Sequence, residues 1–168
     1  ADIREDTYNI DPQEIKEKIT SKTRAVISVH FAGQICDMSE IKSIIQEKQA
    51  QYKEKIFMIE DASHAMGSVY KGSKTGSCAY SDMAVMSFHP VKHITTGEGG
   101  VVFTNDEKLY KQLKLLRSHG ITNNENELVF KEQAYGPSGL NPWYYEQQAL
   151  GFNYRITDIQ CALGISQL

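Results

Sequence analysis

A strand–helix–strand alternation in the first third of the chain restricts the folds open to it. Arg24-Ala25-Val26-Ile27-Ser28-Val29-His30 is a continuous apolar run, the pattern expected of a strand buried on both faces. Asp37 or Ser39 is placed to cap the next helix, in which Ile41, Ile44 and Ile45 share one face opposite lysines and glutamates. Lys55-Ile56-Phe57-Met58-Ile59-Glu60 then returns as a second buried strand. Strands alternating with helices in this way predict an α/β domain with parallel pairing. A short helix precedes them, capped by Asp11 with Pro12 at its first position.

Beyond Asp61 the pattern changes. Gly67, Gly72 and Gly76 mark turns around Ser68-Val69-Tyr70, and Asp82-Met83-Ala84-Val85-Met86-Ser87-Phe88 reads as another strand. Gly99-Gly100 introduces the short strand Val101-Val102-Phe103-Thr104. Leu109, Leu113 and Leu116 recur at helical spacing from Glu107 to Arg117, and His119-Gly120 stops that helix. Residues 121–150 are polar, rich in Asn, Gly and Pro, and aromatic at Trp143-Tyr144-Tyr145, which suggests a functional or interface loop. Residues 156–168 predict an amphipathic helix that stops as though the chain continued.

Bulk properties exclude several classes. A chain of 168 residues with 40% hydrophobic content is long enough for one domain with a real core. Its net charge of −3 provides no basic footprint for nucleic acid. No apolar run approaches the length of a membrane span, and the first residues lack a signal-peptide pattern. The three widely spaced cysteines, Cys36, Cys78 and Cys161, read as reduced thiols of a cytoplasmic protein. No metal site is expected, because His30, Cys36 and His64 lack ligand spacing.

Two positions carry chemistry. The apolar run ending at Ile59 leads into Glu60-Asp61-Ala62-Ser63-His64-Ala65, and a later strand leads into Ser87-Phe88-His89-Pro90-Val91-Lys92. A carboxylate behind one strand and a lysine in a polar loop behind another are what a pyridoxal phosphate site requires. The lysine amine can form an imine with the cofactor aldehyde, and the carboxylate can keep the pyridine nitrogen protonated. Gly97, Gly99 and Gly100 do not have the spacing of a dinucleotide fingerprint and precede a strand, so a tight turn is the better reading.

These segments resemble the fold type I pyridoxal phosphate enzymes, and more narrowly the sugar aminotransferases of the DegT/DnrJ/EryC1/StrS family. The resemblance also covers Val29-His30-Phe31-Ala32-Gly33-Gln34, Glu98-Gly99-Gly100, Arg117-Ser118-His119-Gly120 and Gly151-Phe152-Asn153-Tyr154-Arg155-Ile156-Thr157-Asp158-Ile159-Gln160. It implies that residues 1–168 are a pyridoxal phosphate-binding large domain, three-layered around a mostly parallel central sheet. It also implies truncation at both ends, without the N-terminal part and the C-terminal small domain. Within the family, the segments from Ser87 to Thr96 and from Trp143 to Glu146 look most like the pseudaminic acid branch. That likeness implies transfer of an amino group from glutamate to a UDP-linked 4-keto-6-deoxy sugar, in a homodimer with a shared active site.

Residue roles follow from the same resemblance. Lys92 would be the Schiff-base lysine and proton shuttle, and Asp61 the partner of the pyridinium nitrogen. His64 would touch the cofactor ring face or its phenolic oxygen, and Ser87 would donate to the phosphate. Asn153 would reach the phosphate of the neighbouring subunit's cofactor. Arg155, Trp143 and Tyr144 are candidates for substrate binding, with a surface ion pair and an apolar interface patch as their plainer readings. His89, His93 and Glu98 flank the lysine without an assigned step. Two rivals remain: a dehydratase of the same fold, against which Lys92 argues, and a truncated, non-catalytic chain acting in subunit assembly.

Overall fold

The computed structural model describes residues 1–168, which fall into two compact units, residues 1–105 with 157–168, and residues 106–156. The first unit is built on a four-stranded sheet. Helix α1 (Pro12–Lys18) leads to β1 (Ala25–Val29), and α2 (Met38–Tyr52) connects it to β2 (Phe57–Asp61). A small antiparallel ribbon follows, β3 (Val69–Tyr70) with β4 (Ser73–Lys74), then β5 (Met83–Ser87) and β6 (Gly100–Phe103). The strand order is β1-β2-β5-β6; the first three strands run parallel and β6 runs antiparallel at the edge. The expected α/β architecture with a mostly parallel sheet is thus the observed one.

Helices α1 and α2 start where the sequence places them. Asp11 caps α1 by accepting from the Gln13 N–H at 2.8 Å, with Pro12 in the first turn. Ile41, Ile44 and Ile45 of α2 are buried with Ile15, Ile19, Val26, Ile56 and Met58, so α1 and α2 share one core with the same face of the sheet. Asp37 does stand at the N-cap of α2 but makes no capping bond. Its carboxylate faces the Arg4 guanidinium at 3.3 Å instead.

Within this chain β1 is covered on one face only: Val26 and Ser28 are buried, whereas Ile27 and Val29 are 56% and 46% exposed. The apolar run does furnish two apolar faces, but only the one turned toward α1 and α2 is covered by this chain's residues. No helix in the structure is long and apolar enough to cross a membrane.

The second unit contains α3 (Glu107–Arg117), β7 (Ile121–Thr122), α4 (Lys131–Ala134), the hairpin β8 (Tyr135–Gly136) with β9 (Gly139–Leu140), and β10 (Glu146–Gln147). The segment read as a long loop is therefore subdivided, and β10 pairs antiparallel with β7 to close it. Buried Glu146 organises its middle by accepting the Val129 and Phe130 N–H groups at 2.7 and 2.8 Å and the Tyr144 hydroxyl at 3.1 Å. Gly120 and Gly151 allow two backbones to touch. A Cβ on Gly120 would lie 1.9 Å from the Ala149 carbonyl oxygen, and one on Gly151 would lie 2.2 Å from the Gly120 nitrogen. Helix α5 (Asp158–Ile165) returns to the first unit and opens with a reciprocal Thr157–Gln160 capping box.

Truncating Ile41, fully buried on α2, to alanine should lower unfolding stability by about 2–5 kcal/mol in urea denaturation. Ile27→Ala, on the open face, should have a much smaller effect. In the second unit, burial works to raise the Glu146 pKa, but the Val129 and Phe130 N–H groups, with Tyr144 and Gln148, outweigh it and hold the pKa below the ordinary carboxylate range. A depressed folded pKa stabilises above the unfolded value of about 4.3 and loses that contribution as pH falls through the lower folded value. Amide-exchange protection at Val129 and Phe130 should accordingly fall in Glu146→Gln at pH 7. The difference between the variant and the wild type should shrink as pH falls below the ordinary carboxylate range.

Candidate active site

Parallel strands release the chain at one edge of the sheet, and in open α/β sheets ligands bind beyond that carboxyl edge. β1 ends into His30 and the tight turn Phe31–Gly33, β2 ends at Asp61, and β5 ends at Ser87. Register places Asp61 opposite both Val29 and Val85, so the three exits are adjacent. Strand alternation puts Glu60 on the helix-covered face and Asp61 on the other.

Beyond Asp61 the chain turns tightly. Ala62 and Ala65 are buried with Met86, and Phe88 and Val101 pack against them. Asp61 Oδ1 accepts the Ser63 N–H at 3.1 Å, so one carboxylate oxygen fixes the turn. His64 is exposed, and its ring lies 6.4 Å from that of Phe31. Gly33 adopts a positive φ of 86° there, where a Cβ would come within 3.1 Å of the His64 carbonyl oxygen.

The loop between β5 and β6 carries Lys92, half-buried. Ser87 Oγ accepts the His89 N–H at 3.2 Å, and the Lys92 N–H donates to the His89 carbonyl at 2.9 Å. A depression of about 360 Å³, lined by Ala32, His64, Val91, Lys92 and His93, opens at this point. That volume falls at the small end of the range for small-molecule sites. The structure therefore brings Lys92 and His64 into one cleft, with Asp61 and Ser87 ending the neighbouring strands.

Asn153, Arg155, Trp143 and Tyr144 all belong to the second unit. Asn153 is exposed and forms an isolated antiparallel bridge with Ser118. Arg155 stands 3.4 Å from His119 Nε2, and the stacked rings of Phe152 and Tyr154 lie 4.8 Å apart. Trp143 is 70% exposed, whereas the Tyr144 hydroxyl is held by Glu146.

Sequence reading missed how the lysine loop is held. The Gln160 side-chain amide donates to the Glu98 carbonyl at 2.8 Å. The Gln167 side chain donates to the Thr95 carbonyl at 2.9 Å and accepts the Thr95 N–H at 3.1 Å. Gly164 lies against Thr96, where a Cβ would come within 3.0 Å of the Thr96 Cγ2. Helix α5 and the residues after it thus fasten the loop by backbone contacts that carry no sequence spacing; only the glutamines themselves are visible beforehand.

A lysine and a histidine in a cleft at the carboxyl edge of a mostly parallel sheet, with an aspartate ending the central strand, define a protein of the fold type I class. The profile of the DegT/DnrJ/EryC1/StrS aminotransferase family matches residues 1–168, and the chain belongs to that family. It is similar to the UDP-4-amino-4,6-dideoxy-N-acetyl-beta-L-altrosamine transaminase of Campylobacter jejuni, with 41% identity over 99% of this chain and 39% of that protein. Among solved structures it resembles Spr1654 of Streptococcus pneumoniae in a PMP form, with a TM-score of 0.81 and 30% identity over 99% of this chain and 43% of that one. It also resembles PseC of Helicobacter pylori, described as an aminotransferase involved in the biosynthesis of pseudoaminic acid, with a TM-score of 0.77 and 32% identity over 99% and 38% of the two chains. The chain spans about two-fifths of the length of the curated relatives it matches.

Replacing Gln167 with alanine should speed amide exchange at Thr95, whose N–H it accepts, without changing exchange in β1 or β2. Amide exchange followed by mass spectrometry or NMR reads both regions in one sample.

Proposed function

We propose that the protein is a cytoplasmic pyridoxal phosphate-dependent aminotransferase, of which residues 1–168 are the cofactor-binding large-domain portion. The observation that carries this reading is the shared cleft of Lys92 and His64 beside the Asp61 strand end. The donor set suits the cofactor: an amine, a carboxylate and a strand-end hydroxyl match an aldehyde, a ring nitrogen and a phosphate. Pyridoxal phosphate, when bound, supplies an electron sink for amino-group transfer.

The chain's own groups divide the work. Lys92 Nζ would hold the cofactor and afterwards take up and return a proton within the cleft, a role open to a half-buried amine. The free Asp61 oxygen would carry the negative charge that keeps a ring nitrogen protonated. His64 would border the ring, and Ser87 Oγ would donate to phosphate. The Asn153 amide, exposed in the second unit, would serve the phosphate site of a second copy, which makes the working form a homodimer. Arg155, Trp143 and Tyr144 would meet the substrate.

For the substrate we propose a nucleotide-linked 4-keto-6-deoxy sugar, with glutamate as donor, in surface-sugar biosynthesis of the pseudaminic acid type. The names of the Campylobacter and Helicobacter relatives support this choice.

An absorption spectrum tests the reading directly. Protein mixed with pyridoxal phosphate should develop a visible band that is absent in Lys92→Ala and bleaches on addition of glutamate. A spectrum identical in wild type and Lys92→Ala would sink the proposal. A Lys92-dependent band that glutamate leaves unchanged would overturn the choice of donor alone.

A further inference from the structure

One residue from Asp61, on the helix-covered face of β2, Glu60 is buried in the core at 5% exposure. Both of its oxygens are engaged. Oε2 faces His30 Nε2 at 3.4 Å, and Oε1 accepts the Ser81 hydroxyl. His30 is itself fully buried, and its Nδ1 accepts the Cys36 N–H at 3.3 Å. With Nδ1 acting as acceptor, the proton of the neutral ring belongs on Nε2, directed at Glu60. The neighbouring Cys36 thiol donates to the Val29 carbonyl at 3.1 Å, and burial pushes its pKa up to about 11, so it stays protonated.

A buried carboxylate is strongly disfavoured without partners. Apolar side chains of similar volume often serve a core equally well or better. Packing therefore does not account for this cluster, whereas the side-chain ties it makes between three segments do. The His30 N–H donates to the Asp61 carbonyl at 3.0 Å, while the His30 ring grips the Glu60 side chain. Ser81, in the turn before β5, ties the same carboxylate from the other side. The exit of β1, the end of β2 and the approach to β5 are thereby fixed to one another around the Asp61 peptide. An apolar replacement would keep the main-chain bond from His30 to Asp61 and lose the side-chain ties among His30, Glu60 and Ser81.

We propose that Glu60 and His30 are positioning residues for Asp61: their buried hydrogen bonds, completed by Ser81, set the direction in which the Asp61 carboxylate leaves the sheet. The proposal rests on the cofactor reading of Asp61 given above. Neither residue reaches the cleft, since Glu60 lies on the opposite face and His30 is enclosed by Cys36 and Glu60.

The test compares wild type with Glu60→Met/His30→Leu, Ser81→Ala and Glu60→Gln. Three quantities are read: the urea midpoint without cofactor, the affinity for pyridoxal phosphate from the Lys92-dependent band, and the visible circular dichroism of the bound cofactor, which reports its orientation. The apolar pair should keep the urea midpoint yet bind cofactor roughly tenfold more weakly, the fold-change of about one lost hydrogen bond, with an altered dichroic band. Ser81→Ala should shift affinity and dichroism in the same direction, and keeps the test decisive if the apolar pair fails to fold. Glu60→Gln should stay near wild type, because its carbonyl can accept from His30 and its amide can donate to the Ser81 oxygen. Unchanged affinity and dichroism in the folded apolar pair or in Ser81→Ala would overturn the proposal. Absence of any Lys92-dependent band in wild type would overturn the cofactor reading itself, a separate and recognisable failure.

Discussion

The parallel register of β1, β2 and β5 is the constraint on which the rest of the first unit depends. It sends three segments out at one edge and fixes which side of the sheet each residue faces. The side-chain period of a strand is two, so a slip of one residue in β2 would exchange Glu60 and Asp61. The carboxylate with buried partners would then face away from them, and the other would enter an apolar core. Strong apolar packing of Met58 and Ile56 against α2 opposes that slip. Hydrophobic burial on one face thereby determines the chemistry available on the other.

Much of this was legible in the sequence, because the signals were local. Asp11 with Pro12 lies within a few residues of the backbone groups it serves, and the isoleucines of α2 repeat at helical spacing. The Asp61, His64 and Lys92 positions were readable for a similar reason, each lying at a strand end or within five residues of one. The Glu60–His30–Ser81 cluster was not, since its members come from three segments and nothing in their spacing reports a contact. The outer face of β1 is a different case: its apolar run can be buried on two faces, and residues of this chain cover one of them. Asp37 illustrates competition, its carboxylate being drawn to Arg4 rather than to the helix N-terminus.

The second unit shows a different way of ordering a polar segment. Where apolar residues are sparse, one buried carboxylate gathers two main-chain N–H groups and a tyrosine hydroxyl, and a pair of glycines removes the side chains that would hold two backbones apart. Both devices act on the main chain itself, so a segment rich in Asn, Gly and Pro can still have defined short strands.

The fastening of the lysine loop also has a temporal meaning. Thr95 and Gln167 are separated by 72 positions in the chain, so their contact closes a long loop whose entropy must be met before it forms. A ribosome delivers residues in order, and the sheet strands are all made well before Gln167 emerges. The bond that holds the lysine loop at Thr95 can therefore form only after all four strands described above have been made.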